Sequence, residues 1–147
     1  MEDGLKLSSK SRYAMRAMLF LAENELGGPQ PLSRIVQCGL PGDYLEQLLG
    51  QLRRQGLVRS VRGNQGGYLL AKPARDITLG QVIDAVEGPA RLCICAGEPD
   101  LCEQAGHCGL QRTWTVVTEG IQELMDRYSL QDMLNNAGTS PVNGGLS

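Results

Sequence analysis

The first half of the chain alternates between apolar stripes and polar or glycine-rich breaks, and this pattern predicts three helices. Over residues 8–24 the apolar side chains recur every three to four positions, which is typical of an amphipathic helix with a serine cap. A short helix follows at about 32–37, and a third helix begins within 40–43 and ends at Gly56. The third helix has a clear apolar stripe at helical spacing: Tyr44, Leu45, Leu48, Leu49 and Leu52.

A β-hairpin is predicted directly after the third helix. Residues 57–62 alternate like a strand, the glycine-rich segment 63–67 supplies a turn, and residues 68–71 form the returning strand. Three helices followed by a glycine-tipped hairpin are the element order of a winged helix-turn-helix. In that arrangement the third helix enters the major groove of DNA, and the hairpin, called the wing, reaches the backbone or the minor groove. A generic α+β domain shares this order of elements.

The second half predicts further helices on either side of a segment rich in cysteine. A capping box formed by Thr78 and Gln81 opens a helix that runs through Val86. Residues 91–108, the cysteine loop, separate it from a long helix at about 110–128. Six side chains of this long helix follow the 4-3-4-3-4 spacing of a seam between two packed helices: Leu110, Trp114, Val117, Ile121, Leu124 and Tyr128.

The complete pattern predicts a mainly α fold with a small β-hairpin wing. A second capping box at 129–132 opens a short last helix, and residues 137–147 are rich in Gly, Ser, Asn and Pro, which predicts a disordered tail. We expect a winged helix-turn-helix DNA-binding domain over residues 5–75. The second part, over 76–136, then contains the cysteine loop and a long dimerisation helix.

The charge distribution favours binding of a polyanion by the first half. Residues 1–75 contain 11 Lys and Arg against 6 Asp and Glu, whereas residues 76–147 contain 3 against 10, although the net charge of the chain is only −2. A basic half suggests a nucleic-acid-binding module, with ordinary surface patchiness as the alternative. No apolar run approaches the ~18–20 residues that span a bilayer, and no signal-peptide pattern opens the chain. We therefore expect a cytoplasmic protein that is not bound to a membrane.

Polar side chains of the third helix and the hairpin are candidates for DNA contacts. Gln47 can bond adenine in bidentate fashion, and Glu46 can accept a hydrogen bond from the N4 amine of cytosine. Arg59 and Arg62 flank the hairpin, and Arg62 directly precedes its tip, where an arginine suits the negative potential of a minor groove. The alternative is that these are solvated surface side chains.

Four of the five cysteines lie within 16 residues of one loop: Cys93, Cys95, Cys102 and Cys108. A cluster of thiols in a chain without an export signal indicates metal or redox chemistry before disulfides. Thiolates are ligands for iron–sulfur clusters and for zinc. There is no CxxC pair, so a zinc ribbon or knuckle fits poorly. Reduced thiols without a metal are the alternative.

Several strings resemble the IscR-like, Rrf-type family of winged-helix transcription regulators, over about residues 5–136. The strings that carry the resemblance are 7–13 (LSSKSRY), 44–48 (YLEQL), 56–63 (GLVRSVRG), 66–70 (GGYLL) and the cysteine loop that ends before Trp114. The resemblance implies a homodimer that binds palindromic promoter DNA. It also implies an iron–sulfur cluster, held by three loop cysteines, through which cluster or redox status is sensed.

The resemblance also implies roles for individual residues. Cys95, Cys102 and Cys108 are the cluster ligands by position, Glu46 and Gln47 face the major groove, and Arg62 faces the minor groove. The set of DNA-binding residues that we predict is Lys10, Tyr44, Glu46, Gln47, Arg59 and Arg62.

The fourth cluster ligand departs from the family pattern. Where the IscR-like pattern has a histidine three residues after the last cysteine, this chain has Gln111, which is a poor iron ligand. The other candidates are Cys93, Cys38 and His107, the only histidine of the chain. We favour a 2Fe–2S cluster, with 4Fe–4S as the alternative.

The function that we predict is DNA-binding transcription regulation by a cytoplasmic homodimer that senses through an iron–sulfur cluster. One alternative is a repressor of cysteine metabolism from the same family that binds no cluster. A second, from another class, is a redox or electron-transfer protein. The sequence contains no constellation of catalytic acid, base and nucleophile, so we expect no enzyme activity and no catalytic residues.

Overall fold

The fold is mainly helical with one two-stranded antiparallel sheet. The structure, a computed structural model, describes residues 8–37, 39, 41–88 and 109–136. The described residues do not include the cysteine loop, any of the five cysteines, His107 or the tail over 137–147. The predictions made for these residues stay predictions.

The observed elements follow the predicted order. In chain order the helices and strands are α1 (Ser9–Glu23), α2 (Leu32–Val36), α3 (Gly42–Arg54), β1 (Val58–Val61), β2 (Gly67–Leu70), α4 (Leu79–Glu87), α5 (Gly109–Asp126) and α6 (Leu130–Asn136). Two 3₁₀ turns, which the pattern does not predict, lie at Glu25–Gly27 and Ala74–Asp76. The described residues therefore confirm the mainly α fold with a hairpin wing.

Helices α1 and α3 form where their sequence provides a cap and an apolar face. The Ser8 hydroxyl caps α1 by accepting a hydrogen bond from the Ser11 backbone N–H, at 3.3 Å. The apolar faces of both helices are buried against each other and the rest of the core. The leucines at the centre of the α3 stripe are at most 1% exposed: Leu45, Leu48, Leu49 and Leu52. Burial of this stripe leaves the polar face of α3 in solvent.

The hairpin pairs β1 with β2 from Val58↔Leu70 to Val61↔Gly67. A third segment extends this sheet, because Gln30 exchanges two backbone hydrogen bonds with Tyr68, each 2.8 Å long. The strand β2 is therefore tied, close to the hairpin turn, to the segment that precedes α2.

The second half of the chain packs into the same core as the first. Both predicted capping boxes are formed, at Thr78 with Gln81 and at Ser129 with Asp132. Backbone hydrogen bonds join the start of α4 to the segment before α6, from Leu79 N–H to Tyr128 O and from Leu130 N–H to Ile77 O. The domain boundary at residue 75 stays a prediction, and the apolar core runs across it.

Helix α5 leaves most of its predicted seam uncovered. None of its residues is buried, and three seam side chains on it are exposed: Leu110, Val117 and Leu124. The helix ends at Asp126, two residues before the predicted end, so the exposed Tyr128 lies just past it. Trp114 and Ile121 are half-buried. An apolar face of this kind is a candidate interface. Within the described ranges, no helix combines the length and the apolar composition that crossing a lipid bilayer requires.

Candidate nucleic-acid interface

An open groove of about 670 Å³ lies between the start of α1 and the solvent-facing side of α3. The residues that line it are Lys10, Asp43, Tyr44, Glu46, Gln47, Leu48, Gly50, Gln51 and Arg54. The groove thus brings together four of the six residues predicted to bind DNA, namely Lys10, Tyr44, Glu46 and Gln47. Arg54, a cation in the last turn of α3, also lines the groove but does not belong to the predicted set of DNA-binding residues.

The groove presents hydrogen-bonding side chains because the leucine stripe fixes the rotation of α3. Glu46 and Gln47 are exposed, on the side of the helix that its buried leucines leave free. Tyr44 is half-buried, and its ring packs edge-on against the ring of Tyr13, with centroids 5.7 Å apart and planes at 82°. The aromatic contact holds the first turn of α3 on α1, so both walls of the groove are fixed relative to each other.

The two predicted arginines of the wing lie apart from the groove. Arg59 is an exposed residue of β1, and Arg62 is exposed at the point where the hairpin turn begins. A side-chain contact joins the two regions, because the Arg53 guanidinium donates a hydrogen bond to the Ser60 hydroxyl at 3.1 Å. No local pattern in the sequence marks this contact, which ties the last turn of α3 to the first strand of the wing.

A polar contact between α4 and α5 connects the winged-helix body to the long helix. The Gln122 amide donates hydrogen bonds to Asp84 Oδ2 at 3.1 Å and to Asp126 Oδ1 at 3.3 Å. Burial raises the pKa of the Asp84 carboxyl above its usual value, and the nearby Asp126 raises it further, while the hydrogen bond from Gln122 opposes both. Ionised Asp84 is therefore a cost to the folded state at neutral pH.

The three predicted cluster ligands, Cys95, Cys102 and Cys108, lie outside the described residues, so their chemistry is judged from the sequence. Three thiolates separated by six and five residues are donors that suit an iron–sulfur cluster. Gln111 lies in the first turn of α5, where its backbone carbonyl accepts a hydrogen bond from the Thr115 hydroxyl at 2.9 Å. Among residues 8–37, 39, 41–88 and 109–136, no group of three or more His, Cys, Asp and Glu side chains is placed to hold a metal ion.

Helix, short helix, helix and hairpin, with a polar groove along α3, define a winged-helix regulator. Comparison with known proteins agrees. The family model of the Rrf2 family, described as an iron-dependent transcriptional regulator, matches residues 7–136. The HTH-type transcriptional regulator IscR of Escherichia coli O1:K1 is 38% identical over 141 residues, which are 95% of this chain and 86% of that protein. The chain belongs to the Rrf2 family of transcriptional regulators.

Solved structures of two named regulators resemble the fold closely. T. potens IscR is 38% identical with a TM-score of 0.75, and the match covers 97% of this chain and 96% of that one. CymR, named as the global cysteine regulator of B. subtilis, is 34% identical with a TM-score of 0.73, over 90% of this chain and 98% of that one. These relatives confirm the resemblance drawn from the sequence. They also confirm that the chain is a DNA-binding regulator rather than an enzyme.

Proposed function

We propose that this protein is an IscR-like regulator that binds palindromic promoter DNA as a homodimer in the cytoplasm and senses iron–sulfur cluster or redox status. The observation that carries the DNA-binding part is the groove, because it gathers Lys10, Tyr44, Glu46 and Gln47 on one face although they come from two separate helices. The sensing part is supported by the donor chemistry of the cysteine loop and by the iron dependence in the description of the family model.

In the proposed complex α3 lies in the major groove and the wing lies over the adjacent minor groove. The exposed Gln47 and Glu46 side chains reach base edges, as an amide does with adenine and a carboxylate with cytosine. Arg62, at the hairpin turn, enters the minor groove. Lys10 and Arg59 contact backbone phosphates, which fixes the register of the protein on the duplex.

The homodimer is proposed on the exposed face of α5. Val117 and Leu124 are 40% and 51% exposed in the single chain, at the spacing with which one helix packs against another. A second copy of α5 would bury this face and place two α3 helices for two half-sites of a palindrome.

The cysteine loop would hold the cluster through Cys95, Cys102 and Cys108, with a 2Fe–2S cluster favoured over 4Fe–4S. When bound, such a cluster would supply redox and iron-responsive chemistry. A shift in DNA preference requires that the two states of the loop stabilise different arrangements of the DNA-binding halves. The CymR neighbour supports a second candidate, a cluster-free regulator of cysteine metabolism, because its similarity in fold is almost equal to that of IscR.

The DNA-binding proposal is tested by the substitution Gln47→Ala. We expect a loss of about 1–3 kcal/mol at the base pair that Gln47 contacts, and relaxed preference at that position alone. Gln131→Ala removes an exposed amide on α6 and serves as the matched control, with no change expected. The measurement is the affinity for a selected promoter duplex and for its single-base variants. If Gln47→Ala weakened binding to every sequence equally, Gln47 would contact a phosphate and the docking of α3 would be wrong.

The two candidate functions are separated by anaerobic purification followed by iron and sulfide analysis. The IscR-like proposal expects stoichiometric iron and sulfide, visible absorbance, and a difference in promoter binding between the loaded and the metal-free protein. Protein that contains no iron after anaerobic purification, and that binds promoter DNA without it, would favour the CymR-like candidate.

A further inference from the structure

The carboxylate of Glu87, the last residue of α4, lies at the first turn of α1. The Ser11 hydroxyl donates a hydrogen bond to Glu87 Oε1 at 2.7 Å, and the Ser8 hydroxyl donates to the same oxygen. Ser8 is also the N-cap of α1. One acidic side chain of α4 therefore holds both serines that organise the start of α1, although Glu87 and Ser11 are 76 positions apart in the sequence.

The electrostatics of this contact favour an ionised carboxylate. The first turn of α1 contains no acidic residue of its own, and the N-terminus of a helix attracts negative charge. The hydrogen bond from Ser8, together with those from Ser11 and the charge of Lys10, holds the pKa of Glu87 below its usual value although partial burial opposes this. Ser11 is fully buried, and Glu87 is the acceptor for its hydroxyl.

The same turn of α1 contains a residue that lines the proposed DNA-binding groove. Lys10 lies between the two serines in the sequence, and its side chain lines the groove opposite α3. The position of the first turn of α1 therefore sets where the Lys10 ammonium stands relative to Glu46 and Gln47.

We propose that Glu87 is a positioning residue of the DNA interface, which acts by holding the turn of α1 that carries Lys10. This inference rests on the proposed function, because it requires that Lys10 contacts a DNA phosphate. Glu87 itself touches no DNA in this arrangement.

The direction in which DNA affinity changes when Glu87 is neutralised distinguishes a positioning role from a purely electrostatic one. A carboxylate close to Lys10 repels the phosphates of DNA, so its neutralisation alone would strengthen binding. If Glu87 positions Lys10, its neutralisation weakens binding instead, because the serines lose their charged acceptor and the lysine loses its fixed position.

The experiment compares Glu87→Gln with Glu23→Gln in the full chain. Glu23 is an exposed carboxylate at the other end of α1, so its substitution changes the net charge equally. Affinity is measured over a series of salt concentrations with a fluorescent duplex that carries the site this protein selects from a random-sequence library. For Glu87→Gln we expect affinity to fall several-fold and the salt slope to decrease by about 0.9, the value for one lost phosphate contact. For Glu23→Gln we expect unchanged or slightly tighter binding.

A double-mutant cycle with Lys10→Ala tests whether Glu87 acts through Lys10. We expect Lys10→Ala to weaken binding and Glu87→Gln to add nothing further in that background. Ser11→Ala, which removes one hydrogen bond without changing charge, is expected to give a smaller loss with the same dependence on Lys10. If Glu87→Gln does not fold, the result for Ser11→Ala decides whether the inference holds.

The outcomes distinguish this inference from the proposed function. If Lys10→Ala weakens binding but Glu87→Gln does not, the inference is wrong and the role of Lys10 in DNA binding stands. If Lys10→Ala has no effect, the assignment of Lys10 is wrong and the inference fails with it. If the losses from Glu87→Gln and Lys10→Ala add, Glu87 acts by a route other than Lys10, which also overturns the inference.

Discussion

Two neighbouring glycines allow close backbone contacts at the end of the wing. A Cβ at Gly66 would lie 2.1 Å from the carbonyl oxygen of Val61, and a Cβ at Gly67 would lie 2.2 Å from the carbonyl oxygen of Gln30. Gly67 also has a φ of +150°, in the region that side chains rarely adopt. The pairing of Gln30 with Tyr68 therefore depends on a residue without a Cβ at position 67.

We expect Gly67→Ala to lower the free energy of unfolding by more than about 2 kcal/mol. The new Cβ would displace the backbone at Gln30, and alanine would also be strained at the positive φ of this position. Gly63→Ala is the matched control, since Gly63 has a φ of +111° but no atom within 4 Å of the place that a Cβ would occupy. For Gly63→Ala only the backbone strain of about 1–2 kcal/mol is expected. Urea denaturation measures both, and equal losses would mean that the close approach to Gln30 contributes nothing.

Asp84 gives a pH dependence whose sign follows from its raised pKa. The pKa of Asp84 in the folded protein lies above the unfolded value of about 3.9. The protonated Asp84 therefore contributes to the free energy of unfolding in full below that value, and this contribution is lost as pH rises through the folded pKa. Asp84→Asn should therefore stabilise the protein at pH 7, by less than about 1 kcal/mol because Asp84 is partly exposed. The gain should vanish near pH 3.5. Thermal melts between pH 3.5 and pH 7 measure the difference, with Asp76→Asn, at an exposed carboxylate, as the control for removing one charge.

Among the elements, the helices could be predicted from local sequence patterns, whereas the contacts between distant segments could not. The capping boxes at Thr78 and Ser129 were predictable because each joins residues three positions apart. The pairing of Gln30 with Tyr68 and the contact of Ser11 with Glu87 join distant segments, and no periodicity or motif marks them. The groove was predictable in part, because the leucine stripe fixes which side of α3 faces solvent, whereas the place of Lys10 opposite it depends on packing.

The exposed face of α5 predicts different outcomes for two adjacent valines. Val117 belongs to the seam, whereas Val116 is 67% exposed and lies outside it. We expect Val117→Glu to convert the proposed dimer to a monomer, because a carboxylate would be buried opposite its symmetry mate. Val116→Glu should leave the dimer intact. Analytical ultracentrifugation measures both, and a dimer that survives Val117→Glu would place the interface elsewhere.

For the whole molecule, one core joins the proposed DNA-binding face to the helices that precede and follow the cysteine loop, α4 and α6. Buried side chains from α1, α3, the hairpin, α4 and α6 form a single apolar cluster, to which the stretch before α4 contributes Ile77. The segments on either side of the cysteine loop are thereby joined independently of the loop, through the contacts of α4 with α5 and of α6 with α1. A structural metal contributes folding energy outright, and its removal unfolds the domain that holds it. Because the apolar cluster of the described residues does not depend on the cysteine loop, we expect this protein to stay folded when the loop holds no metal.

We therefore expect the triple substitution of Cys95, Cys102 and Cys108 by alanine to leave a folded dimer with changed DNA preference. The variant should lose visible absorbance and bound iron, yet keep its helical circular dichroism and a cooperative thermal transition, because its core includes α1, α3 and α4. Promoter binding should differ from that of the iron-loaded protein, since only a difference between the two states of the loop can carry a signal. An unfolded variant would make the cysteine loop a structural metal site. A variant that retains iron would show that other residues are the ligands, and promoter binding identical to that of the loaded protein would contradict sensing.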